Sequence, residues 1–311
     1  MLTKDKITEI FCIADDFCKN FAIEMANHPK LTTAANGKRH RNRACEMSQS
    51  QIITILILYH LSSSDNFKAF YLHYIGVHLK QEFPKSLSYS RFIQIQHRVF
   101  IPMMFFLNTV CFGNCTGITF IDSTKIAICH NKRIYRNKVF QDFAKRGKSS
   151  MGYFYGFKLH LVCNDKGELL SFCLTTANTD DRDPKTLKVL TKKLFGKLFG
   201  DKGYISQSLF ESLFNQGVHI VTGLKANMKN RLLPMWDKIL LRKRSVIETI
   251  NDMLKNTCDV EHTRHRSIHN FIMNLIAALG AYCFFDKKPA IKVRFEPKNG
   301  QITLFYEPVN D

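Results

Sequence analysis

The chain predicts an α/β protein: a mixed sheet with flanking helices, preceded by an all-helical N-terminal domain. Three observations carry that expectation. Residues 1–115 repeat apolar side chains at helical spacing, and residues 116–285 open with strand-like runs before helices and strands alternate. Within the second region Asp122 and Asp201 each close an apolar run, and Glu248 lies in an amphipathic helix.

In the N-terminal part, Ile7, Ile10, Phe11, Ala14, Cys18, Phe21 and Met25 form the apolar stripe of a first helix. A second opens at Ser48, with Gln51 three residues on as in a capping box, and its body from Ile52 to Tyr59 is so apolar that burial is expected. The link between them carries Lys38, Arg39, Arg41 and Arg43, four cations suited to phosphate contacts, the plain alternative being a flexible surface loop. A third helix follows Asp65 through Phe67, Phe70, Tyr71, Tyr74 and Val77. A fourth follows Ser88, with Arg91, Gln94, Gln96, His97 and Arg98 near its start and Pro102 bending or ending it. Arg and Gln are the side chains that read guanine and adenine edges, which makes Arg91 and Gln94 candidate readers of a specific DNA end.

The second region predicts strands at 118–122 and 125–129, a basic connection, then strands at 152–163 and 168–175. Asp183 precedes a helix with Pro184 in its first turn, where proline is favoured. Lys197-Leu198-Phe199-Gly200 is a strand closed by Asp201, and Gly203 lets the backbone turn away. A helix at 206–216, a strand from His219 to Gly223 and a helix from Lys243 to Lys255 follow, the last with Ile247, Ile250 and Leu254 on one side. This is the order of a ribonuclease-H-like fold, an antiparallel half joined to a parallel half, with acids collecting where adjacent strands end. The apolar stretch from Phe271 to Phe285 is shorter than the ~20 residues of a membrane span and predicts a buried helix. In the tail, 286–311, Ile291, Val293 and Phe295 alternate ahead of Asn299-Gly300 and Ile302 and Leu304 after it, the pattern of a β-hairpin, against which Pro297 counts.

Charge points to a polyanionic partner. Lys+Arg number 45 against 26 Asp+Glu, a formal net charge of +19, and ten of the cations fall between Lys125 and Lys166. Lys132, Arg133, Arg136, Lys145, Arg146 and Lys148 are the candidate DNA contacts there, a solvated basic surface being the alternative. Two strand-end aspartates and a helical glutamate supply the hard oxygen ligands of a site for two Mg²⁺ ions, with Mn²⁺ able to substitute. The chemistry expected is metal-assisted phosphoryl transfer on nucleic acid. The N-terminus runs straight into an amphipathic pattern with Asp15 and Asp16, unlike a signal peptide, and the scattered cysteines contain no C-x-x-C, so a reduced cytoplasmic protein is expected. Cys258, His262, His265 and His269 have gaps that zinc could use, but Arg264 and Arg266 interleave with them, and the stretch is read as a basic turn.

The segments around Asp122 (FIDSTK), Asp201 (FGDKGY) and Glu248 (RSVIETINDMLK) resemble the three acidic motifs of bacterial insertion-sequence transposases of the DDE type. The third is the most specific: Arg244, Glu248 and Lys255 match the family signature Y-x-x-R-x-x-x-E-x-x-x-x-x-x-K, whereas Leu241 stands at the tyrosine position. Asn178-Thr179-Asp180-Asp181 resembles the family's N-x-x-D element and is read as capping and turn formation. The resemblance spans residues 116–285, and the N-terminal helices share it more loosely. It implies a transposase that binds and cleaves the ends of an insertion sequence and joins the 3′-hydroxyl ends to target DNA. Asp122 would bridge two Mg²⁺ ions that Asp201 and Glu248 complete, with Arg244 and Lys255 flanking the phosphates. The partners it implies are inverted-repeat ends and a target duplex, with a homodimer or higher homo-oligomer on DNA in the bacterial nucleoid and no membrane. Two alternatives stay open: a nuclease on the same fold that cuts without joining, and an inactive DNA-binding repressor, against which the intact acids argue.

Overall fold

Side-chain caps set where the N-terminal helices begin. Helix α1 (Lys4–Asn27) starts at Thr3, whose hydroxyl accepts from Lys6 N at 3.2 Å. Helix α2 (Gln49–Leu61) starts with a complete capping box: Ser48 Oγ accepts from Gln51 N at 3.1 Å and Gln51 Oε1 from Ser48 N at 3.0 Å. Helix α3 (Phe67–Ala69), which widens into π-helical turns over Phe70–His78, is capped by Asn66 and not from Asp65, since Asn66 Oδ1 accepts from both Lys68 N and Ala69 N. Ser88 caps α4 (Tyr89–Ile95). A 3₁₀ turn (Gln96–Val99) then breaks the chain before α5 (Phe100–Phe106), which ends in a second π-helical stretch, Leu107–Cys111. The interruption expected of Pro102 thus falls just ahead of it, at the 3₁₀ turn. Pro102 itself lies in the first turn of α5, where a missing N–H costs nothing. The computed structural model describes residues 2–28, 45–62, 64–149, 152–224, 228, 232–261 and 265–291; the cationic link with Lys38, Arg39, Arg41 and Arg43 and the hairpin pattern around Asn299-Gly300 lie outside them.

The sheet comprises β1 (Ile118–Cys129), β2 (Lys145–Ser149), β3 (Gly152–Asn164), β4 (Leu169–Thr176), β5 (Gly196–Gly200) and β6 (Val218–Thr222). Its order is β4-β3-β1-β5-β6, with β2 pairing the N-terminal part of β3 alongside β4. Strands β1, β3 and β4 are antiparallel, and β5 and β6 run parallel to β1, which is the ribonuclease-H-like arrangement. Three details depart from the sequence reading. The two strands expected at 118–122 and 125–129 are one, held by β3 along its whole length, so Asp122 lies within a strand and not at its end. The basic connection contains β2, an edge strand. An unforeseen helix, α8 (Met235–Lys243), precedes the one carrying Glu248.

Both faces of the sheet are covered. Helices α6 (Pro184–Thr191) and α7 (Gln207–Phe214) enclose one core, of Ile121, Val162, Leu187, Leu190, Leu198 and Leu213 among others. On the opposite face lie α9 (Ser245–Asp252), extended by π-helical Met253–Thr257, and α10 (Ile268–Cys283). Helix α10 packs on α2, and one apolar core runs without interruption from Ile53 and Ile57 through Met103, Ile276 and Leu279 to Phe120, Leu161 and Phe199 of the sheet. Among the described residues no helix is long and apolar enough to cross a membrane.

Glycine is required where β3 meets β1. A Cβ added at Gly156 would lie 2.0 Å from the carbonyl oxygen of Ile126, a backbone atom that cannot move without opening the ladder. Gly156→Ala is expected to lower the unfolding free energy by about 1–3 kcal/mol, read from the urea midpoint. Gly76→Ala is the control: its Cβ has 3.6 Å to the nearest atom, so the substitution should be neutral or stabilising by up to about 1 kcal/mol.

Candidate active site

The position of Asp122 follows from strand alternation. Phe120, Asp122 and Ile126 alternate with Ile121 and Ser123 along β1, and Phe120 and Ile126 belong to the core under α9 and α10, so Asp122 faces that side. Strand β5 pairs with β1 from Ile118↔Lys197 only as far as Phe120↔Phe199, where the two phenyl rings stack at 5.6 Å. Two residues beyond each phenylalanine come Asp122, still within β1, and Asp201, just past the end of β5, at the mouth where the strands part. Here β5 turns away: Asp201 Oδ1 accepts from Gly203 N at 2.7 Å and caps the 3₁₀ turn Lys202–Tyr204.

Helix α9 brings the third acid. Val246, Ile247 and Ile250 are buried toward the sheet, leaving Glu248 on the solvent side with its side chain 51 % exposed. Arg244, at the break between α8 and α9, places its guanidinium between two of the acids: Nη2 pairs with Glu248 Oε1, and Nη1 stands 3.6 Å from Asp122 Oδ1. The other Asp122 oxygen, Oδ2, accepts from Asn251 Nδ2 at 3.0 Å. Asn251 is a site residue that the sequence reading missed. Its signal was an amide on the buried side of a helix otherwise lined by Ile247, Ile250 and Leu254.

Burial pushes the Asp122 carboxyl up to about 6, against the opposing pull of Arg244 and of the Ser123 backbone N–H; the charges of Asp201 and Glu248 push it further up. The three acids are thus electrostatic neighbours. Among the described residues no three His, Cys, Asp or Glu side chains stand close enough together to hold an ion as they are, and this includes Cys258, His265 and His269. The donor chemistry nevertheless suits a hard divalent cation: the three acids offer carboxylate oxygens, that of Asp122 largely dehydrated, and a positive charge already sits between two of them.

The expected DNA contacts divide into two groups. Lys132, Arg133, Arg136, Lys145, Arg146 and Lys148 are all exposed, on the 3₁₀ turn Asn131–Arg136 and on β2, with Lys148 Nζ 5.7 Å from the ring centroid of the exposed Tyr153. Arg91 and Gln94 are exposed on α4 and bonded to each other at 3.2 Å. Arg244 and Lys255 are engaged within the protein, Arg244 as above and Lys255 with Glu261 at 3.6 Å. In the N-x-x-D element, Asn178 and Asp180 make the turn contacts expected of them, to Thr176 and Arg182, but Asp181 reaches back to β1.

Comparison with known proteins gives the family. A family described as "Transposase DDE domain" matches residues 112–268, from the approach to β1 to the start of α10. Curated proteins give no match. Among solved structures the chain is similar to a cryo-EM structure of piggyBac transposase in a synaptic complex with hairpin DNA, at 10 % identity and a TM-score of 0.43, over 91 % of this chain and 72 % of that one. The family match spans just over half of the chain and takes in all three acids, so this protein belongs to the transposase DDE-domain family.

Proposed function

We propose that this DDE-family transposase binds the ends of its DNA element, cleaves them and joins the freed 3′-hydroxyls to a target duplex, with Asp122, Asp201 and Glu248 as the metal-holding acids. The observation that carries the reading is the meeting of Asp122 and Asp201 where β1 and β5 part, under the helix that bears Glu248. Asp122, Asp201 and Glu248 would together hold two Mg²⁺ or Mn²⁺ ions. When bound, such a pair activates a water or hydroxyl for in-line attack on a phosphodiester and stabilises the leaving oxygen. The chain's own residues do the rest. Asn251 orients the Asp122 carboxylate through Oδ2. Arg244 balances the charge of Asp122 and Glu248, and its guanidinium would meet a DNA phosphate at the site. The exposed cations between Lys132 and Lys148 hold the backbone of the duplex, with counterion release contributing to affinity. Assembly as a homodimer or larger oligomer on paired ends belongs to the same reading.

Asp122→Asn, Asp201→Asn and Glu248→Gln keep shape but remove a ligating charge. Each is expected to slow Mg²⁺-dependent cleavage of a labelled terminal fragment by more than about a hundredfold, because several kcal/mol of transition-state stabilisation goes with the ions, while gel-shift affinity for the DNA persists. Robust cutting by Asp122→Asn would remove the site assignment.

Joining separates a transposase from a nuclease. A pre-cleaved end with a free 3′-hydroxyl, incubated with protein, Mg²⁺ and supercoiled plasmid, is expected to become covalently attached, and a dideoxy end is not. A protein that cuts and binds ends but joins neither is a nuclease.

The Asp122 carboxyl also links function to stability. Its folded-state value, about 6, lies above the ordinary 3.8, so folding favours the protonated form. The charge is therefore harmless at pH values below about 4 and becomes increasingly destabilising as pH rises through 6. In metal-free protein Asp122→Asn should raise the unfolding free energy at pH 7.5 by about 1–3 kcal/mol and change it little at pH 3.5, read from urea midpoints at the two pH values. An equal difference at both would mean that the carboxylate carries no such penalty.

A further inference from the structure

Beneath the acids, on the face of the sheet turned to α6 and α7, a second polar cluster is set into the protein. Its centre is Asp181, from the turn after β4. Asp181 Oδ1 accepts from Ser123 Oγ at 2.9 Å and from Lys158 Nζ at 3.1 Å, and Lys158 also donates to Thr179 O at 2.8 Å. His160 is fully buried beside them: its Nε2 lies 2.9 Å from Thr175 Oγ1, while its Nδ1, 3.9 Å from Asp181 Oδ1, has no hydrogen-bond partner. The hydroxyl of Tyr204 is also buried, beside Ser123. Burial pushes the imidazole down to about 4, which leaves it neutral at pH 7.

Such an arrangement is expensive for folding alone. Lys158 and Asp181 are only 16 % and 30 % exposed, and a charge pair taken out of water is often no more stabilising than apolar side chains of the same size. Its place in the fold supplies a different reason. Ser123 follows Asp122 on β1, so the two side chains leave the strand on opposite faces, and the Ser123 N–H bears on the Asp122 carboxylate. On the β5 side the ladder stops at Phe120, so the segment carrying Asp122 is paired on one side only, with β3. Rotation about the strand axis is the freedom this leaves, and a hydroxyl anchored on the far face removes it. The cluster also reaches the second acid: Tyr204 closes the turn that Asp201 caps, and its ring fills the space a side chain at Gly200 would take, 3.0 Å from that Cβ position.

We propose that Asp181, acting through Ser123 and held by Lys158, is a positioning residue that fixes the roll of β1 and so the direction of the Asp122 carboxylate. The inference rests on the reading of Asp122 as a metal-holding acid. It assigns the last residue of the N-x-x-D element a task other than capping, for the cap of α6 is Asp183.

The test uses the full-length protein with Ser123→Ala, Ser123→Thr and Asp181→Asn, and with Asp122→Asn as reference. Mn²⁺ binding is followed by calorimetry, cleavage of a terminal fragment as kcat and KM, and unfolding by thermal midpoint. Groups that orient metal ligands from behind typically change metal affinity or activity 10- to 100-fold when removed. Ser123→Ala and Asp181→Asn should each weaken Mn²⁺ binding by about tenfold or more and lower kcat with KM for DNA unchanged, and Ser123→Thr, which keeps the hydroxyl, should restore both. The inference falls if Ser123→Ala and Asp181→Asn bind Mn²⁺ and cut as the parent does while Asp122→Asn does neither. It falls equally if only the thermal midpoint moves, since the cluster is then a structural tie. Mn²⁺ binding and cleavage surviving in Asp122→Asn would instead remove the reading of the site itself.

Discussion

A carboxylate held within the central strand of a packed sheet is the constraint around which this molecule is arranged. Asp122 gives up much of its hydration to its position on β1, and its neighbours offset that loss piece by piece: a guanidinium from the α8–α9 break, an amide from α9 and a backbone N–H from its own strand. Each needs a particular element to be where it is. Arg244 reaches the acid because α8 ends at Lys243 and α9 starts anew at Ser245. Helix α8 is itself tied to β5 by the ion pair of Lys197 with the buried Asp237. Asn251 reaches it because Val246, Ile247 and Ile250 seat α9 on the sheet.

Much of this was legible in the amino-acid sequence, and what was hidden has physical causes. Caps and apolar stripes are local, so α1, α2, α4, α6 and α10 follow from Ser48, Ser88, Asp183 and their neighbours. The acids could be picked out because each closes or interrupts an apolar segment. Strand β1 looked broken because Ser123 and Thr124 interrupt its apolar run, whereas tertiary contacts, Ser123 with Asp181 among them, satisfy the polar positions. Strand β2, Lys145-Arg146-Gly147-Lys148-Ser149, has no apolar alternation at all. It is a strand because β3 offers it an open ladder, and Gly147 fits because its missing side chain leaves room for the Ala177 carbonyl. Asn251 and Asp181 work across 129 and 58 residues of sequence, beyond the reach of any spacing argument.

The cations also sort by place. Three of those around the site are engaged within the protein: Arg244 with the acids, Lys255 with Glu261, Lys158 with Asp181. Those on the 3₁₀ turn and on β2 stand in solvent, with the 94 % exposed Tyr135 among them. A polyanion approaching this surface meets open charge first and engaged charge last. Salt would therefore screen its capture more than its final seating.

Beyond Glu248 the helix widens into a π-helical stretch, Met253–Thr257, that contains Lys255. Cys258 N bonds back five residues to Met253 O, so Met253–Thr257 holds one more residue per turn than an ordinary α-helix would. A turn of that kind works as a one-residue spacer: losing a residue there tightens the ring without shifting the apolar seam laid down by Ile247 and Ile250. The interval from Glu248 to Lys255 thus ends inside the wider turn, which takes up the extra residue locally while Ile247 and Ile250 keep α9 on the sheet.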